Sequence, residues 1–183
     1  MMRFPVLFLA LLGGGISTAC AQVEPAAYAR PFSVTVGGLG SGFQPDYGPN
    51  YLFGAGAFVD VAFSRWVQVE AEGRWLRLNQ YENVWQDNYL IGPRIPVRSF
   101  GRVTPYGKVL VGMGSMNFQF NYAYGRFTDI AYGGGVDLKL TNRLSLRPVD
   151  FEYQEWPKWL QGQGQLFPYG VSVGVSYRLF GRR

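Results

Sequence analysis

Along most of the chain, apolar and polar residues trade places at every second position, the period of a strand with two unlike faces. The C-terminal stretch is the clearest case. Tyr169, Val171, Val173, Val175, Tyr177 and Leu179 fall on one face, and Gly170, Ser172, Gly174, Ser176 and Arg178 on the other. Between residues 51 and 63, Tyr51, Phe53, Ala55, Ala57, Val59, Val61 and Phe63 oppose Leu52, Gly54, Gly56, Phe58, Asp60 and Ala62. After a short link, Val67, Val69, Ala71, Gly73 and Trp75 oppose Gln68, Glu70, Glu72 and Arg74. The same alternation sets Phe32, Val34 and Val36 against Ser33, Thr35 and Gly37. It sets Tyr89, Ile91, Pro93, Ile95 and Val97 against Gly92, Arg94 and Arg98. It also sets Tyr132, Gly134, Val136, Leu138 and Leu140 against Gly133, Gly135, Asp137 and Lys139.

Two segments break the rule. From Leu144 the pattern starts in one phase (Leu144 and Leu146 against Ser145 and Arg147) and resumes in the other. Val149, Phe151 and Tyr153 then oppose Asp150, Glu152 and Gln154. Pro148 stands at the change, which predicts a β-bulge there. Residues 106–118 carry apolar side chains in both phases around Lys108, so the inward face of that segment is left open.

Eight strands are predicted, starting near Phe32, Tyr51, Val67, Tyr89, Thr104, Ile130, Leu144 and Tyr169. Their connections alternate in length. Residues 64–66, 99–103 and 141–143 are short links, whereas 39–50, 79–88, 115–129 and 155–168 are long. No stretch after residue 21 has the roughly 18 to 20 apolar residues of a membrane helix. Two carboxylates and a guanidinium on one face of a single strand (Glu70, Glu72, Arg74) cannot meet lipid, but they can line a polar interior. The expected fold is therefore all-β: an eight-stranded antiparallel up-and-down transmembrane β-barrel with short periplasmic turns and long extracellular loops. Lipid supplies no hydrogen bonds, so strands cross it only as a closed cylinder.

At this level the chain resembles the bacterial outer-membrane β-barrel domain family, the small eight-stranded OmpA/OmpX-like proteins. The resemblance runs over residues 30–180. Ser172, Gly174, Tyr177 and Leu179 look like that family's C-terminal assembly signal, a polar residue, a glycine and two hydrophobics two apart. Residues 89–94 and 133–147 are also similar. The chain departs from the family's common aromatic ending, because Gly181-Arg182-Arg183 follows Phe180. The resemblance implies outer-membrane lipid as solvent, the barrel-assembly machinery as a partner during biogenesis, and a monomer; a second expected departure from the family is that no peptidoglycan-binding domain follows the barrel.

Ten charged residues are expected inside: Glu70, Glu72, Arg74, Arg94, Arg98, Asp137, Lys139, Arg147, Asp150 and Glu152. Paired carboxylates can do acid/base chemistry. The favoured reading is a network of salt bridges filling a cylinder too narrow to stay empty. A narrow porin-like channel for ions or small solutes is the alternative. A rival of another class is a secreted lipocalin-like barrel binding an apolar ligand. In that rival, Glu70, Glu72 and Arg74 would point outward.

The long loops hold further candidates. Phe118, Phe120, Tyr122, Tyr124 and Phe127 read as girdle and loop anchors, with a protruding ribbon as the alternative. Trp85, Trp156 and Trp159 fit an interface belt. Asp46, Glu82, Asp87, Asp129 and Glu155 lie in or beside the loops without metal-ligand spacing. An extracellular partner at these loops stays open. Arg65, Arg102, Arg143, Arg182 and Arg183 gather at the turn end, near anionic headgroups or solvent.

Composition narrows the function. Of 183 residues, 25 are glycine and none is histidine, and only 16% are charged. Without histidine the usual general base and the commonest metal ligand are gone. The enzymes that the resemblance includes, lipid A acyl-modifying barrels and omptin-type proteases, use histidine, so catalysis, cofactor and metal are expected to be absent. Residues 1–21 read as a signal peptide ending near Ala21, with 22–29 as an N-terminal extension and 30–183 as the barrel. Cys20, the single cysteine, closes that leader; a lipoprotein cleavage before it is the alternative. The formal net charge of +5 is carried by scattered basic residues, which argues against nucleic acid as a partner.

Overall fold

A computed structural model describes residues 32–47, 50–64, 66–80, 82–157 and 165–181. The leader, the N-terminal extension, Arg65, Trp159, Arg182 and Arg183 lie outside the described residues.

Eight strands are present: β1 (Ser33–Gln44), β2 (Leu52–Ala62), β3 (Gln68–Leu78), β4 (Trp85–Pro96), β5 (Val103–Asn117), β6 (Tyr124–Lys139), β7 (Leu144–Glu155) and β8 (Tyr169–Phe180). Each pairs antiparallel with its neighbours in the chain, and β8 returns to β1, closing the barrel. A one-residue slip would turn every side chain to the opposite face. The closing register sets Val36 opposite Tyr177 and Ser41 opposite Ser172. There the two serine hydroxyls meet at 2.7 Å inside the barrel.

The alternation settles which face is which. Val171, Val173 and Val175 of β8 are exposed on the outer wall, while Ser172 and Ser176 are buried. Tyr89, Ile91 and Ile95 of β4 also face out. On β3, Glu70, Glu72 and Arg74 are buried inside the cylinder, which overturns the lipocalin-like rival. An apolar exterior around a charged interior suits a barrel solvated by lipid. The open phase of β5 resolves with Val103, Val109, Val111 and Met113 outward and Tyr106, Lys108, Leu110 and Met116 inward. Register shifts between Arg147 and Asp150 on β7, and between Val136 and Leu138 opposite, bracket Pro148 and mark the expected bulge.

Glycine serves one geometric purpose here. At Gly112 on the inner face of β5, an added Cβ would overlap the carbonyl oxygen of Tyr89 on β4. Only hydrogen lets the two backbones approach so closely.

The strands run further at the loop end than the pattern predicts. β1 continues to Gln44, β4 begins at Trp85 rather than Tyr89, β5 continues to Asn117, and β6 begins at Tyr124 rather than Ile130. Beyond the apolar belt the outward positions no longer have to be apolar. Backbone pairing therefore persists, as in Gln86 opposite Met116 and Ser115 opposite Arg126, where the alternation has already faded. The β5–β6 hairpin accordingly extends as a ribbon and turns at Gln119–Asn121.

Candidate functional site: a layered barrel interior

Inward-facing positions of β2 to β7 bring a set of charges together around Lys108. Its ammonium lies 3.0 Å from Glu70, 2.9 Å from Glu72, 2.9 Å from Asp150 and 3.2 Å from Glu152. Arg147 reaches Glu70 at 3.0 Å, Asp150 at 3.2 Å, Asp60 at 3.3 Å and Asp137 at 3.5 Å. Arg94 contacts Asp137 at 2.5 Å, Glu70 at 3.4 Å and Asp60 at 3.5 Å, and donates to the Gln68 amide oxygen at 2.6 Å. Arg74 pairs with Glu152 at 2.8 Å and also with Glu72.

Aromatic rings hold the guanidiniums flat. Arg74 lies over Phe43 at 4.1 Å, Arg94 over Tyr106 at 3.7 Å and Arg147 over Phe58 at 3.9 Å. Each cation thus meets carboxylates at its edge and a π face on its side. Among described residues, Glu70, Glu72 and Asp150 are the one carboxylate group with metal-ligand spacing. The Lys108 ammonium stands among them in the place a cation would take.

Two layers lie between this network and the loop end. The first is made of amides. Gln86 donates to Asn88 at 2.9 Å and to Gln154 at 3.0 Å, Asn88 donates to Asp129 at 2.5 Å, and Gln154 donates to Glu152 at 2.8 Å. The second is apolar: Phe43, Leu52, Leu76, Val84, Met116, Phe127 and Trp156 form one buried cluster, with Tyr47, Phe118 and Leu166 against it. Phe127 stacks on Trp156 with centroids 5.0 Å apart.

Of the ten charges expected inside, eight join the network. Arg98 and Lys139 do not. Both are exposed; Arg98 lies past the end of β4 and Lys139 is the last residue of β6, so they stand at the turn-side mouth. Three participants escaped the sequence reading. Asp60 already fell on the inward phase of β2, Gln68 on that of β3, and Lys108 sat in the segment whose phase was open.

The loop candidates also sort differently than expected. Trp156 belongs to the buried interior cluster, not to an interface belt, and its backbone pairs antiparallel with Leu166, which packs against the same cluster. Phe127 and Asp129 point inward as well, since β6 starts six residues early. Phe118 packs edge-on against Tyr47 at 4.9 Å, while Phe120 and Tyr122 are exposed at the hairpin tip. Trp85 and Tyr124 pack together at 5.7 Å on the outer wall. The loop-side acids do not converge. Asp87 pairs with Arg77, and Asp46 accepts the Phe167 N–H at 3.0 Å.

The barrel aligns with several solved structures. With Neisserial surface protein A the TM-score is 0.60 at 10% identity, covering 80% of this chain and 96% of the other. With the N-terminal barrel domain of Pseudomonas aeruginosa OprF it is 0.56 at 11% identity, covering 79% and 97%. With Ail of Yersinia pestis, solved with the heparin analogue sucrose octasulfate, it is 0.50 at 18% identity, covering 81% and 97%. These likenesses show the fold. No curated protein matches the sequence. The family model described as "Outer membrane protein beta-barrel domain" matches residues 6–178. A closed barrel with an apolar wall, a charged interior and that match make this chain a member of the outer membrane protein beta-barrel domain family, located in the outer membrane.

Proposed function

We propose that this protein is a non-enzymatic outer-membrane barrel with a structural or surface-interaction role and a lumen closed by its own side chains. The observation that carries the reading is the stacking of three layers across the interior: the Lys108-centred ion network, the amide layer and the apolar cluster at the loop end. Charges tied into mutual pairs, rather than lining a free path, leave no conduit for ions. An apolar layer adds a desolvation barrier at the mouth. No histidine is present to serve as a base. The carboxylates are engaged by arginine and lysine, as in a structural network.

Biogenesis fits the same reading. Tyr177 and Leu179 face outward and Ser172 and Gly174 inward on β8, the strand that closes against β1. In our reading this is the segment the barrel-assembly machinery engages, after a leader is removed near Ala21. The chain then acts as a monomer, its loop end offering Phe120 and Tyr122 to an extracellular partner. Planar-bilayer recordings of the refolded protein test the closed lumen. The expected trace is quiet, and frequent stable conductance steps would establish the porin-like alternative instead.

A further inference from the structure

We propose that the turn end of the barrel is a docking surface for the phosphate headgroups of anionic phospholipid in the periplasmic leaflet. The supporting observation is a partition of charge along the barrel axis. Among the described residues outside the interior network, Arg98, Arg102, Lys139, Arg143 and Arg178 stand at the turn end. None of them pairs with a carboxylate among the described residues. Residues 63–67, 97–102 and 140–143 contain no Asp or Glu at all. The loop end is the reverse: Asp46, Glu82, Asp87 and Glu155 face Arg77 and Arg126 there, and Arg77 is already neutralised by Asp87.

The five cations form one arc rather than a scatter. The Lys139 N–H donates to the Arg102 carbonyl at 2.8 Å, and the Arg178 N–H donates to the Arg143 carbonyl at 2.8 Å. The β4–β5 turn, the β6–β7 turn and the end of β8 are thereby stitched side by side. Height is fixed by Arg143, whose guanidinium donates to the Tyr177 hydroxyl at 3.1 Å. Tyr177 sits on the lipid-facing wall at the lower edge of the apolar belt, which is the level of the headgroups. A guanidinium held there, with donors to spare, matches a phosphodiester in charge and in geometry. The chemistry selects phosphate-bearing lipid because Arg102 and Arg143 stand on the turns at the rim of a wall already solvated by acyl chains, while Arg98, Lys139 and Arg178 fall on the inward phase of their strands and add positive charge from the adjoining mouth. Any phosphate bound at the rim is therefore one end of a lipid in place.

Lipid selectivity of the reconstituted full-length protein tests this. Spin-labelled phosphatidylglycerol and phosphatidylcholine report relative association from the motionally restricted fraction. One basic group near an anionic surface favours it about fivefold at low salt, so a preference for phosphatidylglycerol of roughly fivefold or more is expected. That preference should fall toward unity in Arg102→Gln/Arg143→Gln/Arg178→Gln protein, and in wild type at high salt. The Arg77→Gln/Arg126→Gln protein should keep it. Heat-modifiable gel mobility verifies folding; should the triple variant not fold, the salt titration and Arg102→Gln alone carry the test. A wild-type preference of one overturns the proposal, as does its retention in the triple variant or its loss in the loop-end pair. Sedimentation with purified peptidoglycan in the absence of lipid preference would reassign the arc to the cell wall and overturn it as well.

Discussion

The Lys108 ammonium and the Glu70 carboxylate meet at 3.0 Å inside the barrel although they stand on β5 and β3, with all of β4 between them. Both reach into the centre of the cylinder, where Glu72, Asp150 and Glu152 also converge on the same nitrogen. Four cations (Arg74, Arg94, Lys108, Arg147) serve six carboxylates (Asp60, Glu70, Glu72, Asp137, Asp150, Glu152). Acids are in excess, so each cation is shared, and Lys108 and Arg147 each meet four carboxylates. The network ties β2, β3, β4, β5, β6 and β7 together across the interior rather than along the wall.

Replacing Lys108 with methionine keeps the stem and removes the charge. Four buried carboxylates then lose their common partner, and breaking a buried pair in this way costs about 3–5 kcal/mol. Denaturant titration of the protein folded into lipid bilayers should show a lower unfolding midpoint for Lys108→Met. Adding Glu72→Gln should recover part of the loss, because it relieves the repulsion left behind. An unchanged midpoint for the single variant would mean the network is solvated and contributes little.

Face assignment gives a contrast within one strand. Val173 lies midway between Tyr169 and Tyr177 on the outer wall, at the middle of the apolar belt. Arginine there should cost roughly 2–4 kcal/mol. Its neighbour Ser172 is buried inside and bonded to Ser41, so Ser172→Ala removes a single neutral hydrogen bond worth about 1 kcal/mol. Equilibrium folding into liposomes measures both, and the ordering Val173→Arg well below Ser172→Ala is the expected result. The reverse ordering would invert the barrel.

The sequence carried the barrel because lipid enforces alternation wherever a strand crosses it. Val171, Val173 and Val175 announce β8 without help, and the phase change at Pro148 announces the bulge. Legibility failed where the outer solvent changes from lipid to water. Gln86, Asp87 and Asn88 are strand residues of β4, yet outside the belt nothing demands an apolar neighbour, so they resemble loop. That misreading placed Asp129 and Trp156 at the surface when they lie in the interior. Lys108 was hidden for a different reason. Val109 and Leu110 flank it on opposite faces, because a barrel interior accepts leucine as readily as lysine near its apolar layers, and only the register of β5 against β4 and β6 decides. Pairing across the lumen was beyond reach for the same reason, since period-two alternation fixes a face but not a height.

Gly112 tests the closeness of the wall itself. Its missing side chain lets β5 lie against the Tyr89 carbonyl of β4. Alanine would force the two strands apart, an overpacking that costs roughly 1–3 kcal/mol. The expected signature of Gly112→Ala is a smaller heat-modifiable, folded fraction after refolding. By comparison, Gly38→Ala on the outer face of β1 should fold normally, because a Cβ there meets nothing closer than 3.9 Å. Equal folded fractions would show that the β4–β5 approach is looser than described.

The apolar layer at the loop end supplies the last prediction. Trp156 is fully buried against Phe127, and Gly114 makes room for its indole, since a Cβ on Gly114 would collide with the ring. This residue belongs to no strand core. It sits just past the end of β7, where its backbone pairs antiparallel with Leu166. Truncation to alanine removes the largest fully buried side chain among the described residues and leaves a cavity, at a cost of about 3–5 kcal/mol. The same change removes the apolar layer above the amides, so it should act on access as well as on stability. Trp156→Ala should lower the denaturation midpoint and speed amide hydrogen exchange at the loop-side ends of β5, β6 and β7, while leaving exchange at their turn-side ends slow. A Trp156→Phe variant keeps most of the apolar volume and should restore slow exchange. If Trp156→Ala unfolds at the wild-type midpoint with exchange unchanged, the indole is an ornament of the loop and the interior is held by the ion network alone.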